Sequence, residues 1–279
     1  MIVRCWGARG SIPVSGKEYL KYGGDTTCIE IRTQQGEVII VDAGSGIRGL
    51  GNLLLKERRF DYTLIFTHAH WDHLIGFPFF KPIYHPGTRM TLIGCPFVQI
   101  SAREMISRIM APPNFPLTLG DVCANLAFRP ACVEPFDIGS MRITPVPLSH
   151  PDGGGGYRFE EAGKSCVLLT DNELTHRHPG GLLYEDYRQF AEGADLLIHD
   201  AEYTEADYLK KKAWGHTVYR DALRLALGAG VKKLGLFHHN QERTDSELDS
   251  IVEDCRKAIL LGGHRLDCFA LEQEMEISL

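Results

Sequence analysis

Apolar residues fall along the chain in short runs that stop abruptly at polar ones. Residues 28–33 alternate apolar and polar, the period of a half-buried strand, and residues 37–41 form an apolar, β-branched run. The same reading predicts strands at 62–67, 90–93, 126–129, 141–148, 156–160, 165–170, 196–199 and 233–237, with a terminal strand segment over 269–277. Helical spacing predicts helices at 46–57, 97–110, 182–191, 219–229 and 245–261. Pro112, Pro113 and Pro116 break the chain after the second of these, because proline removes an amide donor and clashes with the preceding turn. Strands with helices between them recur in both halves. The pattern therefore predicts an α/β (α+β) fold, a two-sheet core with helices outside. No repeat, low-complexity tract or linker divides the chain, and residues 1–279 read as a single domain.

Composition and charge narrow the function classes. Hydrophobic residues at 44% and charged residues at 24% give the balance of a globular protein, not a disordered or fibrous one. Thirty basic against thirty-six acidic residues leave a net charge of −6, which argues against broad electrostatic binding to nucleic acid or membranes. No run of about 18 apolar residues is present, so no transmembrane helix is expected. The start, Met1-Ile2-Val3-Arg4-Cys5-Trp6, lacks the apolar run of a signal peptide. A soluble cytoplasmic protein with no membrane partner is the expectation. The eight cysteines contain no Cys-x-x-Cys pair, which leaves zinc ribbons and thioredoxin-like redox motifs unsupported; buried, reduced thiols are expected instead.

The densest chemical signal follows the strand at 62–67. Thr67-His68-Ala69-His70-Trp71-Asp72-His73 places three histidines and an aspartate within six residues. Imidazole nitrogen and carboxylate oxygen are good ligands for zinc and similar divalent ions. Further candidates stand at the ends of predicted strands: His150 after 143–149, Asp171 after 166–170 and His238 after 234–237. A lone terminal histidine or aspartate is more often a cap or a surface residue. Recurrence at strand after strand is how an α/β scaffold assembles a site.

His-x-His-x-Asp-His, followed in order by a histidine, an aspartate and a final histidine, resembles the metallo-β-lactamase superfamily over essentially the whole chain. The resemblance implies a four-layer αββα sandwich with a dinuclear metal site on one edge. It places His68, His70 and His150 on one metal, Asp72, His73 and His238 on the other, and Asp171 between them. His239 competes with His238; the latter is preferred because it aligns with the family ligand ending this strand, and neighbours on a strand face opposite ways. Asp42, in Val41-Asp42-Ala43-Gly44, matches an early Asp-x-Gly turn that is usually structural. A carboxylate at Asp171, where antibiotic hydrolases often carry cysteine, resembles the ribonuclease Z and cyclic-nucleotide phosphodiesterase-like branch, although lactonases and glyoxalase II share it. Leu197-Ile198-His199-Asp200-Ala201-Glu202 and Gly215-His216-Thr217 resemble ribonuclease Z segments in which an acidic residue orients a histidine at the scissile phosphate. The match falls on Asp200 and His216, with aspartate in place of glutamate. The runs at 6–13, 22–27, 150–154 and 156–158 resemble bacterial phosphodiesterase-like members of this branch. They make Thr26, Thr27, Tyr157 and Arg158 candidate substrate contacts, beside the plainer reading of tight turns.

The resemblance thus implies a metal-dependent hydrolase, foremost a phosphodiesterase of small phosphodiesters such as cyclic nucleotides. Two divalent ions, Zn2+ first with Mn2+ or Fe as alternatives, would hold a hydroxide at neutral pH. Asp72 would serve both metal and catalysis, and His216, oriented by Asp200, would protonate the leaving oxygen. The alternatives are a tRNA 3′-processing endoribonuclease, a lactone or thioester hydrolase, and a non-catalytic metal-binding regulator. The nuclease's Gly- and basic-rich arm has no counterpart in the sequence, so a small phosphodiester leads and extended nucleic acid is not an expected partner. Relatives of this kind are often dimers, which makes a homodimer the expected assembly.

Overall fold

A computed structural model describes residues 1–98, 100–130 and 132–279. Among them two seven-stranded sheets face each other. The first comprises β1 (Ile2–Gly7), β2 (Cys28–Arg32), β3 (Val38–Val41), β4 (Asp61–Ile65), β5 (Arg89–Ile93), β6 (Asn125–Arg129) and the last strand, β14 (Glu276–Ser278), in the order β14-β1-β2-β3-β4-β5-β6. The second comprises β7 (Phe136–Ile138), β8 (Met141–Pro147), β9 (Gly155–Glu161), β10 (Lys164–Leu169), β11 (Leu196–Asp200), β12 (Lys233–Phe237) and β13 (Asp267–Ala270), in the order β13-β12-β11-β10-β9-β8-β7. Each sheet is antiparallel on the side of its earliest pairings and parallel beyond: β3 to β6 are parallel, as are β10 to β13.

Period-two alternation sorts the apolar residues into layers. In β3, Ile39 and Val41 meet the second sheet, while Val38 and Ile40 face the outer helices. A strand covered on both faces must be apolar throughout, as this one is. Ile31, Ile143, Phe159, Leu168 and Ile198 fill the space between the sheets. Helices α1 (Ile47–Lys56) and α2 (Ala102–Ile109) cover the first sheet through Leu50, Leu54, Met105 and Ile106. Helices α3 (Tyr184–Phe190), α5 (Tyr219–Gly228) and α6 (Asp245–Leu261) cover the second through Tyr187, Leu223, Ala226 and Leu248, and α4 (Glu205–Lys211) precedes α5. The result is the αββα sandwich.

Two predicted elements are corrected. The segment 269–277 is not one strand: it splits between β13 in one sheet and β14 in the other. The helix expected over 97–110 begins only at Ala102, because Ser101 caps it by accepting the Glu104 amide at 3.2 Å; Gln99 of that span lies outside the described residues. Among the described residues no helix is long and apolar enough to cross a membrane. All eight cysteines are free, and six are buried; Cys123 is exposed and Cys132 half-buried.

The topology gathers the polar strand ends on one edge. β8 is antiparallel to β9, and β9 to β10, so β8 and β10 run the same way. The carboxyl ends of β8, β10, β11 and β12 therefore open together, and open α/β sheets bind ligands at such ends.

Candidate metal centre

A local network at the end of β4 sets the ligand run. The Thr67 amide and hydroxyl donate to Asp42 at 2.8 and 2.7 Å. His73 Nδ1 donates to the same carboxylate at 2.8 Å, which fixes the ring and leaves Nε2 to face the site. Trp71–His73 closes a 3₁₀ turn. Asp72 is held at both ends: its carbonyl accepts from Thr27 Oγ1 at 3.0 Å, and its Oδ2 accepts from the Ser11 amide at 2.8 Å. Asp42, Asp171 and His238 have left-handed backbone, with φ of 63°, 47° and 57°. Aspartate and histidine are among the few non-glycine types enriched there. Asp42 and His238 follow directly on β3 and β12, and Asp171 stands one residue beyond β10, where the chain leaves the sheet.

Ligand atoms of His68, His70, His150 and Asp171 form one group, and those of Asp72, His73 and His238 a second, each within 4.8 Å. In a tetrahedral sphere with bonds of about 2.0–2.1 Å, ligand atoms stand about 3.3–3.4 Å apart. His70 Nδ1 and His150 Nε2 are 3.1 Å apart, and His68 Nε2 is 3.6 Å from Asp171 Oδ2. Asp72 Oδ2 lies 3.4 Å from His73 Nε2 and 3.1 Å from His238 Nε2. Asp171 borders the second group too, with Oδ1 3.4 Å from His73 Nε2 and Oδ2 3.3 Å from His238 Nε2. The Nε2 atoms of His68 and His73 are buried with no hydrogen-bond partner. Such orphaned nitrogens are costly unless they are ligands.

Electrostatics agree. Burial drives the His150 imidazolium pKa down to about 3 and holds His68 well below the usual range, so both rings are neutral, as ligands must be. For His73 and His238, burial pulls the same way, but Asp171 and Asp72 outweigh it and the net direction is upward. A pocket that presses charge onto buried imidazoles carries surplus negative charge, which divalent cations neutralise. The seven side chains fit divalent metal binding.

Beside the ligands, Asp200 Oδ2 accepts from His216 Nδ1 at 2.8 Å, so aspartate reaches in place of glutamate. Burial disfavours the charged ring of His216, yet Glu202 and Asp200 more than offset it and raise its pKa to about 9. Glu202 carried no sequence signal of its own. It accepts from His238 Nδ1 at 2.9 Å and from Asn240 Nδ2 at 2.8 Å, and so orients a ligand. Glu173 likewise escaped sequence reasoning. It accepts the amides of Ala213 and Gly215, both at 2.8 Å, and anchors the loop that carries His216.

Gly215 has φ +98°, its carbonyl accepts from His150 Nδ1 at 3.1 Å, and a Cβ there would fall 2.0 Å from that nitrogen. Gly180 has a similar φ of +82° with nothing within 4 Å of its Cβ direction. Both alanine variants share the backbone strain, and only Gly215→Ala adds the collision. It should weaken metal binding about 10- to 100-fold, while Gly180→Ala leaves it unchanged. Metal titration of both proteins checks this; equal effects would sink the steric account.

Four expected substrate contacts are corrected. Tyr157 is buried between the sheets and donates to the Phe66 carbonyl at 3.0 Å. Arg158 points the other way, to the carbonyls of Phe190 at 3.0 Å and Glu192 at 3.3 Å. Thr26 is buried, its hydroxyl accepting the Ser45 amide at 2.8 Å, and Thr27 is occupied by Asp72. They brace the loops. His239 belongs to neither ligand group, and its Nε2 donates to the Leu271 carbonyl at 2.9 Å. His199 packs behind the site, donating to the Asp200 carbonyl at 2.7 Å.

Residues 37–239 match the model of the beta-lactamase superfamily domain, a span that contains both ligand groups and the His216–Asp200 pair. Ribonuclease Z of Oceanobacillus iheyensis is 24% identical over 252 residues, covering 73% of this chain and 78% of that protein. The metallo-beta-lactamase fold protein YhfI from Bacillus subtilis superposes with a TM-score of 0.71 at 15% identity, over 99% of this chain and 98% of that one. The short form of human tRNase Z superposes with a TM-score of 0.68 at 20% identity, over 100% of this chain and 99% of that one.

Proposed function

The chain belongs to the beta-lactamase superfamily, and we propose that within this group of metal-dependent hydrolases it is a phosphodiesterase of small phosphodiesters. The observation that carries the reading is His216: a buried imidazole held at 2.8 Å by Asp200, with its pKa raised to about 9, grouped with Asp171 and His238. A histidine kept charged at neutral pH can donate a proton to a leaving alkoxide. A thioester, whose thiolate leaves unaided, has little use for one. His68, His70, His150 and Asp171 would hold one divalent ion, and Asp72, His73 and His238 with Asp171 a second. Zinc suits these nitrogen and oxygen donors, as do manganese and iron. When bound, such ions supply Lewis acidity and lower the pKa of water. Asp42 and Glu202 keep His73 and His238 turned inward, and Asp200 fixes the orientation of the His216 ring.

Substrate size is supported by the cleft beside His68 and His70. Its volume of 780 Å³ falls in the small-molecule range, and with Arg108 paired to Glu104 and Asp152 left over, its wall offers a polyanion no surplus of positive charge. Metal-loaded protein should hydrolyse bis-p-nitrophenyl phosphate and at least one cyclic or linear dinucleotide, and turn over pre-tRNA and lactones poorly. A screen across these four classes checks it. Activity on a lactone or thioester with none on any phosphodiester would overturn the assignment, and preference for pre-tRNA would move it to a processing nuclease.

A further inference from the structure

Two of the three tryptophans are exposed, Trp71 by 73% and Trp214 by 61%. Trp71 stands between His70 and Asp72, one in each candidate ligand group. It borders an apolar groove of 480 Å³ with Phe79, Ile109 and Phe115. Phe79 is 54% exposed and meets Phe115 edge-on at 5.7 Å. Aromatic surface left open to water at this density marks a binding face. Arg108 lines both this groove and the cleft beside His68 and His70, so the two adjoin at its side chain, whose guanidinium pairs with Glu104 at 2.7 Å. Among the described residues Arg108 is the one charged residue of the groove wall, and Asn114 adds an amide with donors and an acceptor. A flat aromatic floor with a single cation and one amide suits a nucleobase; a second phosphate would call for more charge.

We propose that the groove is a nucleobase subsite, in which the base of a nucleotide phosphodiester stacks on Trp71 while its phosphate lies at the ligand cluster. This rests on the phosphodiesterase reading above. Trp71 would be a specificity-determining residue with no part in bond cleavage.

The test uses two esters with one leaving group, thymidine 5′-(p-nitrophenyl phosphate) and ethyl p-nitrophenyl phosphate, on the metal-loaded full chain. Trp71→Ala should raise KM for the thymidine ester about tenfold, as loss of one base stack does. KM for the ethyl ester and kcat for both should stay within about twofold, and Trp71→Phe should recover most of the loss. In parallel, thymidine 5′-monophosphate should quench tryptophan fluorescence in the wild type and in Trp214→Phe, but not in Trp71→Phe. Equal KM changes on both esters, or none on either, would overturn the subsite while leaving the phosphodiesterase reading intact. If no phosphodiester is turned over, that reading fails and the quench alone decides the subsite, its absence overturning it. Should Trp71→Ala lose metal, Phe79→Ala carries the same kinetic comparison.

Discussion

Turnover on bis-p-nitrophenyl phosphate should fall at least about a thousandfold when Asp171 is replaced by alanine. The carboxylate is the one group whose oxygens border both ligand sets, at 3.3 Å from His238, 3.4 Å from His73 and 3.6 Å from His68. Its removal takes a carboxylate oxygen and a negative charge from the edge of each. Metal-centred charge stabilisation is worth several kcal/mol, and about 4 kcal/mol corresponds to about three powers of ten. Asp42→Asn offers the contrast. Asp42 touches only the far nitrogen of His73 and the Thr67 amide and hydroxyl, so it orients one ligand without being one. Its loss should cost about 10- to 100-fold. Steady-state kinetics with metal counting on the same samples separates the two, and chelator-treated wild type should match Asp171→Ala. An Asp171→Ala protein that keeps two metal equivalents and turnover within tenfold of wild type would rule out the bridging role.

The candidate ligands could be read from the sequence because His150, Asp171 and His238 stand within three residues of the end of an apolar strand. An uncharged run that stops at His150, Asp171 or His238 announces both the strand and the polar group at its end. What alternation does not carry is where a strand lies in its sheet. Tyr157 and Arg158 sit in the middle of β9, facing opposite sides, and only the antiparallel pairing with β8 and β10 shows that neither side is the open edge. The terminal segment failed for the same reason, because membership of β13 or β14 in a sheet is decided by partners far away in sequence. Glu202 and Glu173 were hidden differently. Each is one carboxylate among many, and its role exists only through partners 36 and 42 positions away, His238 and Gly215. The left-handed backbone at Asp42, Asp171 and His238 was the overlooked signal, since residue types that tolerate it stand where strands must turn off the sheet.

His216→Ala should separate substrates by their leaving groups. Glu202 and Asp200 raise the pKa of the imidazole to about 9, so under the proposed function it would carry at neutral pH the proton that an alkoxide needs on departure. An alkoxide such as a ribose oxygen is strongly basic and needs that proton, whereas p-nitrophenolate is stable as an anion. General acid catalysis contributes about 10² to 10⁴. The variant should therefore lose about a hundredfold or more on a cyclic nucleotide, and no more than about tenfold on bis-p-nitrophenyl phosphate. Asp200→Asn should follow with smaller losses and a distinctive pH profile. An acid works while protonated, so the rate falls as pH rises through its pKa. Removing the Asp200 charge lowers the pKa of His216, and the alkaline limb must move to lower pH. Equal losses on both substrates, together with an unmoved alkaline limb, would reduce His216 to a packing or phosphate-binding residue and leave protonation of the leaving group to water.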